Sequence, residues 1–297
     1  MNNILLGIKN SLKSKGHLRV HSVVVVLAVA VSLFLLTFPV AYSWWKSILS
    51  TGHWVDSNLL APFISDESKH RVADVPIFGF HLVRPAYTTD TREIKRYLVT
   101  KDVFEKEMKY LSDNGYHTIT FATLEDYLVN GTPLPKNPVI LSFDDGWENQ
   151  FVDAFPSLQK YHLTATFFVF TNAIGYQNHL TWDQIKTLSD SGMIIGSHTR
   201  SHPFLTEIPD PSKLRDEIVG SKKIIESHIG VVVNDFAYPF GFYNQAVIEA
   251  VKNSGYKDAR IFSRVFTSPF HSLSDSYTLT AIPAPADLGD FERDLVR

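Results

Sequence analysis

The sequence predicts an α/β fold whose parallel strands close into a barrel, and three observations predict it. Short apolar runs alternate with stretches of helical periodicity from about Val75 to Ser254. Strands alternating with helices imply a parallel sheet. The runs end in residues suited to acid–base and metal chemistry, and C-terminal strand ends are where such barrels carry their sites. At 297 residues the chain is also long enough for one large domain with extensions.

The chain begins with a basic tail over residues 1–21, carrying Lys9, Lys13, Lys15 and Arg19. Residues 22–45 follow as a transmembrane signal anchor. Ser22 to Trp45 holds no charged residue, and a helix of that length rises far enough, at about 1.5 Å per residue, to cross the hydrocarbon layer. The first acidic residue is Asp56, so the charge asymmetry puts the N-terminus in the cytoplasm and the rest outside the cell membrane. Trp44 and Trp45 suit the far interface. The competing reading is a cleaved signal peptide and a secreted protein, because Ala41-Tyr42-Ser43 offers small residues to a peptidase. Residues 46–74 are polar and irregular and read as an extracellular tether, which leaves 75–297 as the catalytic domain.

Within that domain, Val75 to Phe80 is a short apolar strand ending at His81. Lys101 to Asn114 is helical, with Phe104, Met108 and Leu111 on one face and Gly115 as its stop. Thr118 to Phe121 reads as a strand, and a helix starts at Thr123. Pro138 to Phe143 is a buried strand, Phe151 to Tyr161 a helix, Ala165 to Phe170 a strand and Trp182 to Ser191 a helix. Met193 to Ser197 is the next strand, Leu214 to Ile229 one long helix, Asp235 to Tyr238 a strand and Gln245 to Ser254 a helix.

The chemistry stands at two strand ends. Leu141-Ser142-Phe143-Asp144-Asp145-Gly146 closes one apolar run with adjacent carboxylates, and His198-Thr199-Arg200-Ser201-His202 closes another with histidines four apart. A divalent metal takes two imidazoles and one carboxylate, and the second carboxylate is left as a base for a water at the metal. Alone, Asp-Asp-Gly after a strand is usually a turn and helix cap, and spaced histidines are usually solvated. It is their combination that carries the reading. The net charge of -3 and the lack of a basic stripe give no ground for nucleic-acid binding, and the absence of cysteine excludes disulfides and thiolate metal sites.

From about Val75 to Tyr256 the chain resembles the polysaccharide deacetylase family, the NodB-homology domain of carbohydrate esterase family 4. Phe143-Asp144-Asp145-Gly146 is similar to its first motif, His198 to His202 to its second and Phe236-Ala237-Tyr238-Pro239-Phe240-Gly241 to its third, with Ala165-Thr166-Phe167-Phe168 and Ser191 to His198 as supporting matches. The resemblance implies a distorted (β/α) barrel of the NodB type and a hydrolase of linear amide bonds. It also implies Asp145, His198 and His202 as ligands of a divalent ion, commonly Zn2+, Asp144 as general base and the Phe240 N–H as oxyanion donor.

The family's late histidine motif has no copy near the C-terminus, where His271 lacks the apolar strand before it. The strand ending at His81 has the right form at the opposite end. The chain therefore resembles the circularly permuted branch that deacetylates poly-β-1,6-N-acetylglucosamine in biofilms, and His81 is the expected general acid, since the first strand of a closed barrel neighbours the last. The third motif commonly starts with an arginine that pairs with the base, where this chain has Ala237. Lys136 is a weak substitute. Trp147, Tyr238, Pro239 and Gly241 are expected to line the sugar site. The remaining alternatives are a peptidoglycan or chitin deacetylase, an O-acetyl esterase on xylan-type sugars, and a silent glycan-binding member of the fold. Oligomeric state is open.

Overall fold

The computed structural model describes residues 71–263 and 270–296. The basic tail, the anchor and nearly all of the tether predicted above lie outside them. Among the described residues no helix is long and apolar enough to cross a membrane.

In chain order the elements are β1 (Val72–Asp74), β2 (Ile77–Phe80), β3 (Leu82–Val83), α1 (Arg92–Lys95), β4 (Leu98–Val99), α2 (Lys101–Asp113), β5 (His117–Thr118), α3 (Phe121–Asn130) and β6 (Pro138–Phe143). A π-helical turn, Gln150–Ala154, leads into α4 (Phe155–Lys160), then β7 (Thr166–Val169), α5 (Trp182–Asp190) and β8 (Ile194–Ser197). Next come α6 (Pro211–Arg215), a second π-helical turn (Asp216–Gly220), α7 (Ser221–Ile229), β9 (Asp235–Ala237), α8 (Gln245–Asn253), β10 (Asp258–Phe262), β11 (Phe270–Ser272), β12 (Leu279–Pro283) and α9 (Leu288–Leu295).

Parallel pairings run β2-β12-β10-β9-β8-β7-β6, and β6 pairs back to β2, closing a barrel. β5 pairs with the first residues of β6. As expected of a closed ring, β2 sits between β12 from the C-terminal region and β6, the strand of the carboxylate pair.

Strand alternation divides the core in two. Ile77, Ile140, Phe168, Ala237 and Ala281 form one cluster, joined by Phe121, Leu124 and Leu128 of α3, which plugs one end of the barrel. Their strand neighbours Phe78, Phe80, Leu141, Phe143, Phe167 and Phe236 belong to the other, against the helices through Phe104, Met108, Leu158, Ile185, Ile225 and Val251. Burying each such side chain contributes about 1.5–3 kcal/mol.

The elements differ from the sequence expectation in identifiable ways. Thr120 accepts a hydrogen bond from the Thr123 amide as an N-cap, so α3 starts at Phe121 and β5 is shorter than predicted. The long helix expected over Leu214 to Ile229 is α6 and α7 joined by a π-turn. β1, β3, β4, β10, β11, β12, α1 and α9 were not anticipated.

Candidate active site

The period of two along a strand decides which residues reach the barrel mouth. In β6, Ile140 and Ser142 alternate with Leu141 and Phe143, so the next residue, Asp144, takes the inward phase. The same phase carries His198 beyond β8, and both residues are buried. The β2–β6 ladder ends where the Asp144 amide donates to the Phe80 carbonyl at 2.9 Å, which brings the chain at His81 alongside Asp144. His81 Nε2 lies 3.7 Å from Asp144 Oδ2, its ring packed between Tyr97 and Phe262.

Asp145, His198 and His202 offer ligand atoms that all lie within 4.8 Å of one another. Asp145 Oδ1 is 3.7 Å from His198 Nε2 and 3.4 Å from His202 Nε2, and the two Nε2 atoms are 3.2 Å apart. Donors at zinc bond lengths in a tetrahedron lie roughly 3.3–3.5 Å apart, so this set fits such an ion. Its second layer is also present. His198 Nδ1 meets the Ala237 carbonyl at 2.7 Å, which fixes the tautomer with its Nε2 lone pair inward, and Trp147 Nε1 donates to Asp145 Oδ2 at 3.1 Å. Burial pushes the His198 imidazole down to about 4 and lowers His202 as well, keeping both neutral, as ligands must be.

Loop geometry is set by backbone that favours glycine. Asp145, Thr199, His202 and Phe240 have φ of 75°, 74°, 57° and 58°. Such conformations cost of order 1–3 kcal/mol each and persist only where the surroundings enforce them. For the histidine loop the enforcement is visible. Glu217, in the second π-turn, accepts from the amides of Arg200 and Ser201, both at 2.9 Å, and from Ser201 Oγ at 2.6 Å. The Thr199 hydroxyl accepts from the His202 amide at 3.0 Å. In the third motif, Gly241 N donates to Tyr238 O and Phe242 N to Pro239 O, turning the chain at Phe240. A Cβ on Gly241 would meet the Phe262 carbonyl at 2.5 Å, which accounts for the glycine.

The carboxyl of Asp144 has a partner that sequence reasoning missed. Arg260, in the middle of β10 and 1 % exposed, pairs through Nη2 with Asp144 Oδ1 and lies over the Phe168 ring. Burial alone would raise the Asp144 carboxyl, but Arg260, aided by His81, His198 and His202, outweighs it and holds the group below the usual carboxylate value. Lys136 does not take this part. It precedes β6, at the other end of that strand, and its carbonyl meets His117 Nδ1. The available signal was slight, an arginine flanked by Ala259 and Ile261 in a stretch that also holds Lys257 and Asp258.

Trp147, Tyr238 and Phe240 line one cleft of about 1100 Å³ together with His81, Asp144 and Asp145, whereas Pro239 and Gly241, expected at the sugar site, do not line it. Trp147 stacks on His179 at 4.4 Å, Tyr238 and Pro239 are buried, and Phe240 is exposed against His202. His271 is buried in β11, with Nε2 3.1 Å from the Val75 carbonyl.

Comparison with known proteins agrees with this geometry. Residues 131–259, somewhat less than half of the chain, match the model of the polysaccharide deacetylase family. The Bacillus subtilis protein YxkH is 35% identical over 159 residues, 54% of this chain and 57% of that relative. The poly-beta-1,6-N-acetyl-D-glucosamine N-deacetylase of Staphylococcus epidermidis is 32% identical over 179 residues, 56% of this chain and 61% of its own length. The matched part thus spans less than two thirds of either relative. Among solved structures, a polysaccharide deacetylase from Bacillus cereus superposes with a TM-score of 0.64 at 26% identity, over 74% of this chain and 68% of that one.

Proposed function

We propose that the chain is a metal-dependent hydrolase that removes acetyl groups from N-acetylglucosamine residues of an extracellular polysaccharide, poly-β-1,6-N-acetylglucosamine. The observation that carries this reading is the convergence of Asp144, Asp145, His81, His198 and His202 at the mouth of one barrel. The polymer is supported by the similarity to the Staphylococcus epidermidis poly-beta-1,6-N-acetyl-D-glucosamine N-deacetylase and by the place of His81 at the end of β2. The uncharged run from Ser22 to Trp45 and the basic residues before it support an anchored protein with its catalytic domain outside.

Asp145, His198 and His202 would hold a divalent ion, with zinc the best match to two imidazoles and a carboxylate. Such an ion supplies Lewis acidity to the attacking water and to the acyl oxygen. Asp144, ionised by Arg260 and not among the three ligands, accepts the proton of the attacking water. The Phe240 amide donates to the oxyanion that forms as the carbonyl carbon becomes tetrahedral, and an oxyanion donor is worth about 3 kcal/mol of barrier. His81, with Nε2 3.7 Å from Asp144 Oδ2, gives a proton to the departing amine. The C–N bond breaks, acetate leaves and the sugar keeps a free amine, which becomes ammonium at neutral pH.

The test is acetate release by the purified chain from β-1,6-linked N-acetylglucosamine oligomers, with zinc added and after chelation, beside Asp144→Asn and His81→Ala. Zinc-dependent release that both substitutions sharply reduce supports the mechanism. Release only from chitin or peptidoglycan fragments discards the polymer assignment and keeps the chemistry. Glycan binding without release, with metal present, moves the protein to a non-catalytic role.

A further inference from the structure

The cleft extends past the candidate centre along two walls of different origin. On the side of the histidine pair, Phe240 packs on His202 at 4.5 Å, and Phe204 stacks on Phe240 at 4.1 Å. On the side of His81, the wall starts at Tyr97, 4.9 Å from the His81 ring, and continues through Ile94, Glu93 and Tyr87. Those four belong to residues 84–97, an arm that runs between β3 and β4, which pair with each other in a small sheet of their own.

The arm is stapled at its outer turn. Arg84 grips Asp90 with both terminal nitrogens, at 2.6 Å and 3.0 Å, and donates to the Pro85 carbonyl at 2.8 Å. Asp90 Oδ2 also accepts the Tyr87 amide at 2.7 Å. The Arg84 guanidinium then lies 4.3 Å from the centroid of the Tyr87 ring, covering one face of it. The ion pair has side-chain exposures of only 13% and 3%, whereas Tyr87 is 55% exposed. Withdrawing an ion pair from water is costly, and here the expense fixes a ring that itself stays in solvent at the edge of the cleft.

We propose that Tyr87 is a stacking platform for a pyranose ring of the bound glycan, at a subsite beyond the sugar that loses its acetyl group. This rests on the polysaccharide deacetylase reading. With Arg84 behind it, the ring offers a single open face, and a face held in place before binding gives up little conformational entropy when a ligand covers it. The apolar C–H face of a pyranose suits such a ring, while Thr89 and Glu93 on the same arm offer hydrogen-bonding groups to sugar hydroxyls. The cleft volume of about 1100 Å³ also lies above the roughly 300–1,000 Å³ usual for a single small ligand. Chain length, not the identity of the reacting sugar, is what this subsite reads.

The experiment is calorimetric binding of β-1,6-linked N-acetylglucosamine oligomers, dimer to hexamer, to the zinc-loaded full chain in detergent. An Asp144→Asn background suppresses turnover. Tyr87→Ala should weaken the hexamer about five- to tenfold and leave the dimer within twofold. Tyr87→Phe should keep hexamer affinity, and Arg84→Met, which loosens the staple, should fall between. Unchanged hexamer affinity in Tyr87→Ala, or an equal loss at every length, overturns the subsite. Acetate release by the unaltered chain is measured alongside. Release without a Tyr87 effect removes the subsite alone, and Tyr87-dependent binding without release removes the deacetylase reading alone. Neither binding nor release removes both.

Discussion

Arg260 on β10 stands directly beside Ala237 on β9 in the parallel register, and from there its guanidinium reaches the carboxylate of Asp144. Ala237 is the position where the deacetylase motif resembled by this chain commonly has the arginine. The cation has therefore moved one strand over at the same height in the barrel. Both positions share the inward phase of their strands, so either one can face Asp144.

Removing Arg260 should thus be severe, and replacing it next door should help. Arg260→Ala leaves a buried carboxylate without its counter-charge, a loss of about 3–5 kcal/mol in comparable cases. The expected result is at least about a hundredfold drop in kcat for acetate release with a lower thermal midpoint. Adding Ala237→Arg should recover part of both. A double variant no better than Arg260→Ala would show that the two strand positions are not equivalent.

The indole of Trp147 makes a sharper prediction about metal than about sugar. Its N–H holds Asp145 Oδ2 and leaves Oδ1 toward the two histidines. Trp147→Phe retains an aromatic ring for His179 but loses the donor. Partners of metal ligands typically contribute 10–100-fold in affinity, so zinc binding measured by chelator competition should weaken by about tenfold or more. Chelation should also lower the thermal midpoint of the unaltered chain, since an ion at a thousand times its Kd stabilises the folded state by about 4 kcal/mol.

Much of this site was legible because apolar strands announce their own ends. Ile77 to His81, Pro138 to Asp145 and Ile194 to His198 each pass from core to chemistry in a few residues, and closure of the barrel puts the first strand next to the others. β10 hid because Asp258 and Arg260 take its inward positions, so Asp-Ala-Arg-Ile-Phe reads as half solvated. β12 ends in Pro283, and β3 and β4 are too short to show any period. The π-turns are invisible in the sequence, since each is a single turn within a helical stretch, too short to show a period of its own. Both nevertheless carry side chains that bind the catalytic loops, Gln150 in one and Glu217 in the other.

Gln150 gives the test of that last relationship. Wholly buried at the start of the first π-turn, it donates through Nε2 to the carbonyls of His81 at 2.9 Å and Asp144 at 2.5 Å. Those carbonyls follow the end of the β2–β6 ladder, so one amide group ties the backbone of the proposed acid to that of the proposed base. Only a side chain with two N–H donors can serve both. Gln150→Leu should lower kcat about 10–100-fold, as small misplacements of reacting groups do, with KM and zinc affinity little changed. A parallel loss of zinc affinity would reduce Gln150 to general support of the fold.

At the barrel end plugged by α3, Asp235 and Asp258 face each other as buried register partners on β9 and β10. Burial pushes the Asp235 carboxyl up to about 7, offset only in part by a hydrogen bond from Asp258 and by Lys222, and burial beside Asp235 raises Asp258 too. The folded state therefore keeps protons that the unfolded chain releases near pH 4. Stability contributed by these groups is full below that value and is lost as pH rises toward about 7. Urea unfolding should accordingly show a contribution from this pair that declines between about pH 4 and pH 7, set against the stability that His198 and His202, with their lowered imidazoles, gain over the same range. Asp258→Asn, which removes one titrating group and lets an amide face Asp235, should flatten that decline, and an equally steep decline in the variant would place its origin elsewhere.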